Sequence, residues 1–209
     1  ILVKHSFADK AFFCNSGAEA NEAAIKVARR YFSEIKKQPE KNRIISMNQS
    51  FHGRTMATLS ATGPLKVKVG FNPVLDGFDF VPFNDLAAFE AAITDKTCAV
   101  IMEPVQGEGG IMPADKEYLK GVRKICDEKG LLLIFDEVQC GMGRVGTLFA
   151  YESLGVEPDI MSLAKAVANG LPMGVMLARE WVMEAFSPGA HATTFGGTPI
   201  VSAGALRPC

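Results

Sequence analysis

Asp136 and Glu137 close an apolar run, LLLIF, and the glycine-spaced loop Gly141/Gly143/Gly146 follows them. Lys165 stands just after a second run, IMSL, and Asn15-Ser16-Gly17 just after a third, AFFC. Three chemistries use parts of this set. A nucleotide hydrolase would put the strand-end acid on magnesium, but it also needs G-x-x-x-x-G-K-[ST] to cradle phosphates, and the sequence has no such stretch. A dinucleotide site would use the G-x-G-x-x-G spacing, yet that fingerprint follows its strand directly and opens a helix. Here Asp136 to Cys140 intervene, and a tight loop needing positive φ accounts for the glycines.

The third chemistry draws on more of the chain. Ser16 with Glu19 makes an S-x-x-E capping box at the start of a helix. Gly17 there lets an anion approach the free N–H groups of the helix start. Lys165 lies among small and apolar residues, and desolvation makes a lysine amine a neutral nucleophile for a carbonyl group. A phosphate-binding helix start, a strand-end acid and a strand-end lysine are the parts pyridoxal 5'-phosphate needs. Taken singly, each has an ordinary explanation: a well-capped helix, a common strand end, a surface lysine.

These residues need a frame. Strands are expected at Ala11–Cys14, Arg43–Met47, Phe78–Val81, Cys98–Met102, Leu131–Phe135, Ile160–Leu163 and Gly174–Leu177. Helices are expected at Ala18–Phe32, Asp85–Ile93, Lys116–Lys129, Leu148–Leu154 and Glu180–Phe186. Runs that are apolar throughout suit strands buried on both faces of a mostly parallel sheet. The alternation predicts an α/β domain with right-handed crossovers. Ligands in such sheets bind outside the carboxyl ends of the strands, which puts Gly17, Asp136 and Lys165 on one edge. Pro39 and the charges around it mark a solvated loop, not a domain boundary.

Bulk properties narrow the classes. The 209 residues suffice for one large domain, 48% of them hydrophobic and 22% charged. A net charge of −1 gives no electrostatic reason to expect nucleic acid or an anionic membrane as partner. No apolar run reaches membrane-spanning length, and no signal segment opens the chain. Cys14, Cys98, Cys126, Cys140 and Cys209 form no C-x-x-C pair, so reduced, buried thiols and a cytoplasmic location are expected. An organellar location stays open if a transit segment precedes Ile1.

NSGAEANEAAIKVAR, SFHGRTMATLSATG, VPFNDLAA, IMEPVQGEGGI, LLIFDEVQCGMGRVGTLFAYESLGVEPDIMSLAKAVANGLPMG and TTFGG occur in this order. In these blocks the chain resembles the class III, fold type I aminotransferases, and within them the acetylornithine enzymes of arginine metabolism. The resemblance implies a large cofactor domain over residues 1–209, built on a mostly parallel seven-stranded sheet flanked by helices. It implies pyridoxal phosphate carried on Lys165, which then moves the substrate proton, with Asp136 on the pyridine nitrogen. Val138 and Phe51 would take the two ring faces, with His52 close by. Gln139 would sit near the phenolic oxygen, and Glu137 would also be among the cofactor-binding residues. Gly17 and Ala18 would hold the phosphate, and Thr194 would reach the phosphate of a neighbouring subunit in a homodimer. Arg54 would bind a substrate carboxylate, Thr193 would lie near substrate, and Glu108 would pair with an arginine of a C-terminal small domain. The implied reaction moves an amino group from N-acetylornithine to 2-oxoglutarate.

Rivals remain at this stage: succinylornithine, ornithine or 4-aminobutyrate as donor, or a truncated domain that at most binds cofactor or dimerises. The pattern also departs from the family. Thr198-Pro199 stands where Asn-Pro is usual, Ala192 replaces a glycine, and the sequence after Ile200 drifts from the expected helix towards loop. The chain opens on Ile1 and closes on ALRPC, so it is expected to be part of a longer polypeptide.

Overall fold

The computed structural model describes residues 1–206. Its strands are β1 (Lys10–Cys14), β2 (Arg43–Met47), β3 (Phe78–Val81), β4 (Thr97–Met102), β5 (Val105–Gln106), β6 (Met112–Pro113), β7 (Leu132–Asp136), β8 (Ile160–Leu163) and β9 (Gly174–Ala178). Its α-helices are α1 (Gly17–Arg30), α2 (Met56–Ala61), α3 (Leu86–Ala92), α4 (Lys116–Lys129), α5 (Ala150–Leu154), α6 (Glu180–Met183) and α7 (Pro199–Ala205). Seven strands form one sheet in the order β1-β9-β8-β7-β4-β2-β3, and β5 and β6 make a separate hairpin. From β8 to β3 every pairing is parallel. β9 runs antiparallel to both β8 and β1. β1 and β8 therefore point the same way, so the carboxyl ends of β1, β4, β7 and β8 share one edge.

Side-chain alternation along the central strands explains the layering. Val100 and Met102 of β4, with Leu133 and Phe135 of β7, face a core built with Phe89 of α3 and Leu119, Val122 and Ile125 of α4. Ala99, Ile101, Leu132 and Ile134 face the opposite core, with Ala24, Ile25, Val27 and Ala28 of α1. Both faces are dry, which is why these strands read as unbroken apolar runs. α1 is held at its start by Ser16, whose side chain accepts the Glu19 N–H. It passes at Tyr31 into a π-turn, Tyr31–Ile35, short of the expected Phe32 end.

The expected elements are all present, several with shifted ends. The Leu148–Leu154 helix starts at Ala150, and the Glu180–Phe186 helix stops at Met183. α2, the β5–β6 hairpin and α7 were not foreseen. α7 overturns the expectation that the chain drifts into loop after Ile200, because Pro199 enters at the first turn, where its missing N–H costs nothing. Cys14, Cys98, Cys126 and Cys140 are free and buried; Cys209 lies outside the described residues. Among the described residues no helix is long and apolar enough to cross a membrane.

Candidate active site

The last residue of β7 carries the central acid. Asp136 is 4% exposed. Its Oδ2 accepts Asn21 Nδ2–H at 2.7 Å and lies 2.7 Å from His52 Nδ1; its Oδ1 accepts Val138 N–H at 3.0 Å. Facing a carboxylate, the His52 Nδ1 is the protonated nitrogen. The second Asn21 amide hydrogen goes to the His52 carbonyl at 2.8 Å. Asn21 on α1 thus fastens both the acid and the histidine backbone.

A cavity of about 540 Å³ opens over this acid, a size ordinary for a cofactor site. Gly17, Ala18, Phe51, His52 and Arg54 line it, as do Glu108, Asp136, Val138, Gln139 and Lys165. At its floor α1 begins. The amides of Gly17 and Ala18 belong to the first turn and have no intrahelical acceptor. A Cβ on Gly17 would come within 2.7 Å of Val138 Cγ1, so only glycine lets the Val138 side chain close over the helix start. The Phe51 ring carries the Arg54 guanidinium 5.4 Å from its centroid. Lys165 follows β8 through Ala164, takes φ +48, and opens a 3-10 turn. That left-handed geometry is uncommon outside glycine, and Lys37, Asn84, Ile111, Met142 and Asn169 adopt it as well.

Some placements differ from expectation. Lys165 lines the cavity but is exposed, not desolvated. Glu137 does not line the cavity: its carboxylate turns away and accepts the N–H groups of Ala150 at 2.6 Å and Tyr151 at 2.8 Å, capping α5. Burial pushes the Glu137 carboxyl up to about 7, against those two bonds. Thr193 stands outside the lining, its Oγ1 accepting from Asn15 Nδ2, which does line it. Thr194 is exposed and outside the cavity. The glycine loop is tight, with φ of +87 at Gly143 and +99 at Gly146, and opens no helix at its glycines.

Two polar side chains of the lining, Asn21 and Glu103, escaped the sequence reading. Asn21 reads as one polar residue on an amphipathic helix, and only the fold brings it to Asp136. Glu103, at the end of β4, is 5% exposed and follows the same strand-end rule that singled out Asp136. Burial pushes its carboxyl up to about 7, with nearby His52 opposing the rise and Asp136 adding to it.

The site also fits a polar aromatic phosphate. Deep at this site, His52 Nε2 and Asn21 Oδ1 are buried without a protein partner. The floor supplies free amides for an anion, Phe51 and Val138 supply apolar walls, and Asp136 supplies a buried negative charge.

The family model described as aminotransferase class-III matches residues 1–207. An acetylornithine aminotransferase of Methanocaldococcus jannaschii is 58% identical over 98% of this chain and 51% of its own length. A Pseudomonas aeruginosa protein named succinylornithine transaminase/acetylornithine aminotransferase is 54% identical over 97% of this chain and 50% of its own. The ornithine aminotransferase of Toxoplasma gondii, in a structure described as having partial PLP occupancy at its active site, superposes with a TM-score of 0.93 at 35% identity, covering 98% of this chain and 49% of that one. The chain spans about half the length of the curated relatives it matches. With the cofactor-sized cavity, the seven-stranded sheet and this match from end to end, the chain belongs to the class-III aminotransferase family.

Proposed function

We propose that this chain is the cofactor-binding part of a pyridoxal-phosphate-dependent aminotransferase that moves an amino group from N-acetylornithine to 2-oxoglutarate. The observation that carries the reading is the convergence of Asp136, Lys165 and the free amides of Gly17 and Ala18 on one cavity. Pyridoxal phosphate, when bound, supplies an aldehyde for the donor's amine and a ring that takes up the electrons released at the carbon bearing it.

The chain's own residues do the rest. The Gly17 and Ala18 amides hold the phosphate at the helix start. Phe51 and Val138 confine the ring, Gln139 takes its phenolic oxygen, and Asp136 keeps its nitrogen protonated. Asn21 and His52 keep the Asp136 carboxylate turned to that task. Lys165 Nζ holds the aldehyde until the donor arrives and then carries the proton between the donor carbon and the cofactor. Arg54 and Glu108 set the substrate end, and Arg54 takes a carboxylate. Thr194, exposed and outside its own cavity, suits a homodimer in which it serves the neighbouring site. Succinylornithine is the second donor to try, because the Pseudomonas aeruginosa relative carries both names.

The test is to incubate the protein with pyridoxal phosphate, reduce with borohydride and map the modified peptide by mass spectrometry. Label on Lys165, with none on Lys4 or Lys66, is the expected result; scattered label or none refutes the site. In the full-length protein, N-acetylornithine and 2-oxoglutarate should then yield glutamate. Lys165→Ala with undiminished turnover sinks the mechanism.

A further inference from the structure

Glu103 is the buried acid that the proposed reaction leaves without work. It closes β4, in the middle of the sheet, and lines the cavity beside Asp136. Its two oxygens go to different loops. Oε1 accepts the Phe51 N–H at 2.9 Å, four residues past the end of β2. Oε2 accepts the Gly107 N–H at 3.1 Å, at the foot of the loop that carries Glu108. Gly107 is itself packed against the Gln139 side chain, where a Cβ would overlap the amide.

We propose that Glu103 is a positioning residue of this cavity, whose carboxylate staples the Phe51 wall to the Gly107–Glu108 loop and so fixes both against Asp136. The function assigned to the staple, holding a cofactor ring and the substrate end in register, rests on the aminotransferase reading. Two converging N–H donors require an acceptor on each oxygen, which a carboxylate has and an amide lacks. A glutamine here would turn an NH2 group towards one of the donors and leave it buried and unpaired. Burial pushes the Glu103 carboxyl up to about 7, and the titratable groups facing it are His52, Asp136 and the Cys140 thiol. At pH 8, above that value, the group is ionised and both oxygens are free to accept.

Amide hydrogen exchange tests the staple, and cofactor trapping tests what it is for. In the wild-type protein at pH 8 the Phe51 and Gly107 amides exchange slowly. In Glu103→Gln at least one of them exchanges about tenfold faster, while Ala150 and Tyr151, held by Glu137, do not change. Borohydride still labels Lys165 in the variant, but half-labelling takes about tenfold more pyridoxal phosphate. Unchanged exchange at both amides overturns the staple. Loosened amides with an unchanged cofactor requirement overturn the positioning role. If the variant does not fold, the wild type decides: at pH 8 the Phe51 and Gly107 amides, corrected for intrinsic exchange, are protected, and an unprotected amide at either position overturns the proposal. If wild-type Lys165 takes no label, the aminotransferase reading fails by itself and the amide data still judge the staple.

Discussion

Glu137→Gln separates a structural acid from a cofactor acid two atoms of backbone away. The Glu137 carboxyl is raised from 4.5 to about 7 because burial disfavours its charge more than the Ala150 and Tyr151 N–H bonds favour it. At about 1.4 kcal/mol per pH unit, that rise is worth roughly 3 kcal/mol. The sign follows from the direction. A carboxyl whose folded value is raised contributes stability that is full below its unfolded value and is lost as pH rises to the folded one. Wild-type stability should therefore fall between pH 4.5 and pH 7, with Glu103 adding a second contribution of the same sign. Glutamine does not titrate, so Glu137→Gln should remove about half of that fall. At pH 8 the variant gains by losing a buried charge and loses one N–H bond, about 1 kcal/mol, so the slope and not the absolute stability is the clean readout. Urea unfolding midpoints from pH 4.5 to 8, with pyridoxal phosphate trapping at Lys165 alongside, measure both halves. The trap should be unaffected. A pH slope identical to wild type, or loss of trapping in a folded variant, refutes the assignment of Glu137 to the α5 cap.

Gly17→Ala should cost about 1–3 kcal/mol through overpacking, since the new Cβ would sit 2.7 and 2.9 Å from the two Val138 methyls; weakened cofactor trapping in a protein of lowered urea midpoint is expected, and no change in either quantity argues against a closed helix-start floor. Asn21→Leu keeps the volume but strips one donor from Asp136 and one from the His52 carbonyl. About 1–3 kcal/mol of stability and part of the cofactor affinity should go with them, and a variant as tight and as stable as wild type would show that Asn21 only fills space.

The sequence announced the frame well because both faces of the sheet are dry. Arg43–Met47, Phe78–Val81 and Ile160–Leu163 come out at their expected bounds, even though Ser46, Asp79 and Ser162 interrupt their apolar residues. The strand-end rule then brought Asp136, Lys165 and Gly17 together correctly. It failed where orientation mattered. Neighbouring residues leaving a strand point to opposite sides, so of Asp136 and Glu137 only one was going to face the cavity, and the pattern does not say which. Asn21 was invisible because its partners lie 31 and 115 residues away. Lys165 was expected to be desolvated from its apolar neighbours in sequence, but Val167 and Ala168 turn inward while the lysine stays exposed.

What divides the three strand-end acids of this edge is the kind of donor that meets them. Glu103 and Glu137 each take two backbone N–H groups, one on each oxygen. Backbone donors are fixed to the chain that carries them, so a carboxylate used this way holds loops or helix starts in place. Asp136 has only one backbone donor, the Val138 N–H, on Oδ1; its Oδ2 is held by the side chains of Asn21 and His52. Each oxygen of a carboxylate has two lone pairs, so Oδ1 keeps one open towards the cavity that Asp136 lines. Those side-chain donors orient the group without tying it to a loop that would have to move. A carboxylate at this edge of the sheet is thus a brace between loops or stays open to the cavity according to its donors.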